Sequence, residues 1–294
     1  MKLRIGIPKG SLQESTLRLF RNAGYTIKLA ERSYVPVIDD PELEGLVIRA
    51  QEMGRYVENG ILDMGITGLD WVLEQNSKVK EVARLRYSKV GFKGVKWVVA
   101  VPNDSPIKNI RGLKGKVIAT ELVGFTTRFL KAQKIDATVE YSWGATEAKP
   151  PRLADAIVEV TETGTTLKAN GLKIVHTLLE TNTKLIANKA AMKDAAKRRK
   201  IQHMALLLRG ALAAENLVGI KMNVPESSFE EVVGLLPSLT SPTVARLHDS
   251  AWFSVEIVIR ESVVRELVPR LIEKGATGII EYPLNKVVNR EDAI

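Results

Sequence analysis

Along the first half of the chain, short apolar runs alternate with amphipathic stretches. Leu3-Arg4-Ile5-Gly6-Ile7 reads as a strand ended by the Pro8-Lys9-Gly10 turn. A helix is expected from Ser11, with Glu14 completing a capping box. Leu12, Thr16, Leu19, Phe20 and Ala23 share one face of that helix, and Gly24 stops it. Leu46-Val47-Ile48 reads as a second strand, followed by a helix running to Asn59-Gly60, and Asp63–Ile66 as a third strand. This alternation predicts a parallel sheet flanked by helices. Ligands bind such sheets at the carboxyl ends of the strands, so the loops after Ile7, Ile48 and Ile66 are the places to look.

A second α/β unit begins near Trp97–Val101, with strands at Lys116–Thr120 and Asp155–Val160 and a helix at Phe125–Lys134. A long alanine-rich helix is expected after Asn188, running to about Asn216, with the chain returning there to its first domain. The tail has another rhythm. Leu217–Met222 is strand-like, Glu226–Leu236 helical, Thr243–Leu247 and Phe253–Ile259 strand-like, Glu261–Lys274 helical, and a last strand starts at Gly278. The order βαββαβ is that of a small ferredoxin-like unit.

Composition narrows the chemistry. The 294 residues include no cysteine, which excludes disulfides, thiolate metal sites and a cysteine nucleophile. Hydrophobic residues at 45% and charged residues at 26% are ordinary globular values, and no run of about 18 apolar residues offers a membrane span. Pro8 cuts the first apolar run too early for a signal peptide, so a cytoplasmic chain with no membrane attachment is expected. Lys+Arg 43 against Asp+Glu 34 leaves a net charge of +9, which attracts anionic ligands, whether polyphosphates or nucleic acid. The dense run Lys197–Lys200 lacks stacking aromatics and reads as a solvated helix face, so nucleic acid is not an expected partner.

The most informative segment is Ala154–Leu167, a strand followed by Thr163-Gly164-Thr165-Thr166 and a helix start. Gly164 permits close backbone approach, and the threonine hydroxyls join the unpaired amides of a helix N-terminus to cradle a phosphate monoester. Asp155 and Glu159 can accept hydrogen bonds from vicinal ribose hydroxyls. The same string also reads as an ordinary capped turn. His176, His203 and His248 lack metal-ligand spacing, and Asp39-Asp40 before Pro41 reads as a loop pair.

The segment resembles the 5-phosphoribosyl-1-pyrophosphate (PRPP) loop of the ATP phosphoribosyltransferase family, the first enzymes of histidine biosynthesis. Ile7-Pro8-Lys9-Gly10, Gly65-Ile66-Thr67-Gly68 and Thr166–Leu172 strengthen the likeness, which runs nearly end to end and includes the tail of the family's long form. The resemblance implies an α/β fold with two type II periplasmic-binding-protein-like catalytic lobes, residues 1–95 with 181–216 and residues 96–180. A ferredoxin-like regulatory domain, 217–294, would follow. It further implies Mg²⁺ held mainly by pyrophosphate oxygens, dimers assembling into hexamers, ATP and PRPP as substrates, inhibition by L-histidine, and AMP as a further ligand. Carried onto this chain, Thr163, Gly164, Thr165 and Thr166 hold the 5-phosphate and Asp155 and Glu159 the ribose. Glu147 matches the family's acidic position near the ribose and metal and is read as catalytic with Lys9, which follows a strand end facing the cleft. Arg49, after the second strand, and Gly65 and Gly68 are read as binding nucleotide, and by the resemblance Asn223, Leu239, Thr243, Val258 and Gly278 surround histidine. Asn223 stands where some relatives carry aspartate. A solute-binding protein of similar two-lobed fold is the alternative, although nothing in that role calls for the Thr-Gly-Thr-Thr loop.

Overall fold

A computed structural model describes residues 2–85, 95–237, 241–248 and 251–289. The chain divides into two compact units, Met1–Ala205 and Leu206–Ile294. The first opens with β1 (Leu3–Lys9), α1 (Gln13–Ala23), β2 (Ile27–Lys28), β3 (Val37–Ile38) and β4 (Leu43–Arg49). It continues through α2 (Ala50–Glu58), β5 (Met64–Gly68), α3 (Leu69–Glu74) and β6 (Lys80–Leu85). Next come β7 (Val95–Pro102), β8 (Val117–Thr120), α4 (Val123–Ala132), β9 (Thr138–Tyr141), β10 (Ala156–Thr161) and α5 (Thr165–Ala169). Strands β11 (Leu172–Thr181) and β12 (Thr183–Ala187) then lead to α6 (Ala195–Ala213), within which the division between the units falls.

Two five-stranded sheets result, ordered β4-β1-β5-β12-β6 and β11-β7-β10-β8-β9. In the first, β1 runs parallel to β4 and β5, while β12 lies antiparallel between β5 and β6. The two sheets give the two-lobed α/β fold that the resemblance implies. Each is mixed where the alternation of elements predicted a parallel sheet, because β12 in one and β7 in the other run antiparallel to both neighbours. The second sheet is buried on both faces. Trp97, Val99, Val101 and Val158 pack on one side, and Val98, Ala100 and Ile157 on the other. Residues of opposite parity along β7 therefore serve two cores, which is why that strand reads as an unbroken apolar run.

Three local expectations change. Strand β1 runs through Pro8 rather than ending before it, so Lys9 is the last strand residue and pairs in register with Arg49. The capping box at Ser11 is absent: Leu12 occupies the N-cap of α1 without a side-chain cap, because the Gln13 amide bonds the Gly10 carbonyl at 3.0 Å and the helix starts later. The long helix begins at Ala195, not after Asn188. Asn188 closes a preceding turn, accepting from Ala190 at 2.8 Å, while Asp194 caps the helix by accepting from the Ala196 and Lys197 amides at 2.9 and 3.0 Å. In the basic run, Lys197 pairs with Asp63 at 2.7 Å and Lys200 with Asp40 at 2.6 Å.

The second unit carries β13 (Leu217–Pro225), α7 (Phe229–Leu235), β14 (Thr243–Arg246), β15 (Trp252–Arg260), α8 (Glu261–Glu273) and β16 (Thr277–Pro283). Its sheet is ordered β14-β15-β13-β16. Counted within the unit this is 2-3-1-4, the ferredoxin-like arrangement. Val218, Ile220, Met222 and Val224 of β13 meet Val255, Ile257 and Ile259 of β15 in one core with Val232, Leu267 and Leu271 of the two helices. The alternate residues form the sheet's open face, where Val258 and Ile280 are exposed.

Candidate active site

Lys9 and Arg49 are partners in the β1–β4 register, so adjacent parallel strands deliver two cations side by side at their carboxyl ends. Lys9 donates to the Tyr34 hydroxyl at 2.9 Å and its ammonium lies 4.3 Å from that ring's centroid. The ammonium holds the Tyr34 phenol below its ordinary pKa, first through the hydrogen bond and then through its charge. Arg49 reaches to the other lobe, its guanidinium 5.3 Å from the centroid of Trp143.

On that side three carboxylates gather. Burial pushes the Glu159 carboxyl up to about 7, and the charges of Glu147 and Glu121 push in the same direction. The Val160 amide, 3.0 Å from Glu159 Oε1, and the Thr146 hydroxyl offset part of this. Glu121 is raised as well, by burial and then by the Asp70 carboxylate, while Arg49 opposes the shift. Glu147 sits in a short 3-10 turn, Thr146–Ala148. That turn is entered through Gly144 at φ 77° and Ala145 at φ 49° and closed by a buried Ser142–Thr146 hydroxyl contact of 2.8 Å.

Just beyond Glu159 comes the threonine turn. Gly164 adopts φ 79°, a left-handed conformation that L side chains rarely take, and its amide donates to Thr161 Oγ1 at 2.7 Å. The Thr163 and Thr165 hydroxyls are 2.9 Å apart. Helix α5 starts at Thr165, so the amides of Thr165 and Thr166 belong to a first turn that lacks intrahelical acceptors. All three threonines are exposed.

The structure therefore brings Arg49 to the cluster of Glu121, Glu147 and Glu159, and the Thr163–Thr166 turn follows Glu159 along the chain. It does not bring Asp155 to them. Asp155 precedes β10 and so lies at the opposite end of that strand from the turn, with its carboxylate accepting from Lys116 Nζ and the Val117 amide, both at 2.9 Å. The two glycines of β5 also have packing reasons. A Cβ at Gly65 would meet Met53 Sδ at 2.4 Å, and one at Gly68 would meet Asp70 Oδ1 at 2.0 Å. Their close neighbours are side chains of the same lobe rather than open space for a ligand. Glu121, Trp143, Thr146 and Tyr34 went unnoticed in the sequence. The signal for Glu121 was available, since it directly follows strand β8 as Arg49 ends β4.

The lobes are tied beside this cluster. Glu74, at the end of α3, accepts from the Gly124 and Phe125 amides at 2.8 and 2.7 Å and so caps α4. Arg128 of α4 returns the contact, donating to the Leu73 and Glu74 carbonyls. Buried Asp70 accepts from Trp97 Nε1 at 2.8 Å, and desolvation raises its pKa.

In the second unit, Asn223 pairs with Thr277 across β13 and β16, and a Cβ at Gly278 would come 3.4 Å from Asn223 Nδ2. Thr243 and Val258 stand on other strands of the same sheet, opposite Glu256 and Gly219. Leu239 lies outside the described residues. Among the described residues no group of three or more His, Asp or Glu side chains is gathered to hold a metal ion.

Comparison with known proteins settles the family. Residues 49–210 match the family model described as ATP phosphoribosyltransferase, and residues 214–286 the one described as HisG, C-terminal domain. A protein of Thermodesulfovibrio yellowstonii named ATP phosphoribosyltransferase is 59% identical over 286 residues, covering 97% of this chain and 98% of its own length. The chain belongs to the ATP phosphoribosyltransferase family. A relative of the same name from Chlorobaculum parvum is 54% identical over 287 residues, covering 98% of each chain. The fold matches a solved chain of the ATP phosphoribosyl transferase (HisG:HisZ) complex from Thermotoga maritima, with TM-score 0.61 and 23% identity over 70% of this chain and 98% of that one. The activity of the family is phosphoribosyl transfer to ATP in histidine biosynthesis, a pentosyltransferase reaction, and the solute-binding alternative is not the one its relatives carry. No helix among the described residues is long and apolar enough to cross a membrane.

Proposed function

We propose that ATP and PRPP meet between the two lobes of the first unit, residues 1–95 with 181–216 and residues 96–180, and that 217–294 is a regulatory domain. The observation carrying this reading is that Arg49, at a strand end of one lobe, sits against Trp143 and the Glu121–Glu159 cluster of the other. Thr163–Thr166 receive the 5-phosphate, while Glu159 and Glu147 receive the ribose hydroxyls in place of Asp155. Lys9 and Arg49 face the polyphosphates.

N1 of the adenine carries no proton and attacks C1 of PRPP, whose bond to pyrophosphate oxygen breaks with its electron pair. The protein's task is to align two polyanions and to meet the charge that develops on the departing oxygen, which suits strand-end cations better than a strong base. Mg²⁺ keeps several non-protein oxygens and would arrive on its substrate, so it calls for no ready-made three-carboxylate site, and Glu147 and Glu159 are the acids that would stand beside it. When bound, Mg²⁺ neutralises charge on the pyrophosphate. L-histidine is read as a ligand of the second unit's sheet near Asn223 and Gly278, with Thr243 and Val258 at its margin. AMP as a further ligand, assembly from dimers to hexamers and a cytoplasmic location complete the reading.

Two variants test the arrangement, with product formation followed in the presence of pyrophosphatase. Thr165→Val removes one hydroxyl at nearly constant volume and should raise the PRPP KM about tenfold, as a lost bond to a charged group does. Lys9→Ala should lower kcat at least about tenfold while the thermal midpoint stays put. Kinetics within about twofold of the parent in both, a difference of roughly 0.4 kcal/mol, would place the chemistry elsewhere.

A further inference from the structure

Trp143 contributes little to either core. Its residue is 64% exposed, although an indole gains most when buried. It stands beside two left-handed residues, Gly144 and Ala145, and a non-glycine residue at φ 49° is a conformation the surroundings must hold in place. The Ser142–Thr146 hydroxyl contact, buried and 2.8 Å long, closes the turn beneath it. The ring is also positioned from outside its own lobe, by the Arg49 guanidinium at 5.3 Å from its centroid. Guanidinium on one side of an indole leaves the other side as an aromatic surface, and the charge of the same Arg49 acts on Glu121.

We propose that Trp143, braced by Arg49, is the stacking platform for the adenine ring of ATP and a specificity-determining residue of the transfer. This deepens the cleft reading above and rests on it. Of the two substrates only ATP carries a π-face, so an exposed indole in the cleft selects the base rather than the sugar phosphate. Stacking on an aromatic ring also fixes the plane of the purine while leaving its N1 edge free, as an attacking nitrogen requires. As N1 bonds to C1, positive charge appears on the purine. An indole face and the neighbouring carboxylates favour that charge where an aliphatic side chain would not.

The full-length protein tests this by equilibrium fluorescence and by kinetics. Indole emission of the parent should be quenched by ATP but not by inorganic triphosphate or by PRPP. Trp143→Phe should lose that quench while keeping the ATP KM within about threefold, since a phenyl ring still stacks. Trp143→Ala should raise the ATP KM by about tenfold or more, the weight of one base–aromatic stack, and leave the PRPP KM within about twofold. A quench that survives in Trp143→Phe, an equal quench by triphosphate, an unchanged ATP KM in Trp143→Ala, or a PRPP KM that rises as much as that of ATP would each overturn the proposal. Failure of the underlying cleft reading shows separately, as normal kinetics in Lys9→Ala and Thr165→Val.

Discussion

Replacing Glu159 with Gln probes the carboxylate cluster more sharply than any other single change. The carboxyl titrates near 7 in the folded chain against an ordinary value of 4.5, because it is partly desolvated and faces Glu147 and Glu121. At about 1.4 kcal/mol per tenfold, that separation corresponds to roughly 3 kcal/mol. Glu159 is only part-buried, and solvent screening reduces the figure to about 1–2 kcal/mol. Since the folded value lies above the unfolded one, this contribution is complete below pH 4.5 and is lost as the pH rises through about 7. Glu159→Gln keeps the shape and removes the ionisation. The variant should match the parent below pH 4.5, draw ahead of it as the pH rises, and be more stable than it at pH 8, by about 2–4 °C in thermal midpoint for each kcal/mol. Its PRPP KM should rise at the same time, because an amide is a weaker acceptor for ribose hydroxyls. Unfolding scans of the two ligand-free proteins at half-unit intervals from pH 5 to 8 provide the comparison. Midpoints that run parallel across the range would show that Glu159 is not the repelled carboxylate.

Glu74→Ala should cost about 1–2 kcal/mol, the usual weight of a helix cap; urea unfolding that matches the parent would dismiss the α3–α4 tie as a stabilising contact. Asp155→Asn should weaken folding by loosening the Lys116 and Val117 contacts while leaving the PRPP KM within about twofold, and a tenfold rise in that KM would return Asp155 to the ribose. Its carboxyl is held below the ordinary range by the Val117 amide and by Lys116, so its contribution is present above pH 3.8 and lost as pH falls through the folded value. Gly278→Leu should abolish inhibition by L-histidine in a folded protein with normal turnover, as judged by inhibition curves; undiminished inhibition would move the regulatory site off Asn223 and Gly278.

What could be read from the sequence follows from how each element is buried. The second unit was legible because β13 and β15 alternate between one core and one open face, with Val218, Ile220 and Met222 spaced by two. Strand β12 was not, because Lys184 interrupts Thr183–Ala187; its side chain is 3% exposed and is carried inside by Glu81 at 2.8 Å. Strand β6 reads as Lys-Glu-Val-Ala-Arg-Leu, whose charges suit the sheet edge it forms beside β12 but hide it as a strand in the sequence. In the site, the Thr163–Thr166 turn was visible as a contiguous motif. Glu121 and Trp143 are single residues in separate loops, and only the pairing of strands shows that they share surroundings with Arg49. Asp155 misled because nearness in sequence to the turn hides a strand of intervening length, Ala156–Thr161.

The placement of β12 also governs the order in which the chain is made into a protein. Strands β5 and β6 are separated in the first sheet by a strand that leaves the ribosome only after the whole second sheet has been synthesised. Until Thr183–Ala187 arrives, the first lobe holds a three-stranded fragment, β4-β1-β5, with an inner strand laid open as an edge. The second lobe, contained between Val95 and Thr181, has every strand of its sheet before then. Synthesis from the amino terminus therefore supplies the last strand of the inserted sheet just before the strand that closes the first one, so the two sheets become complete almost together.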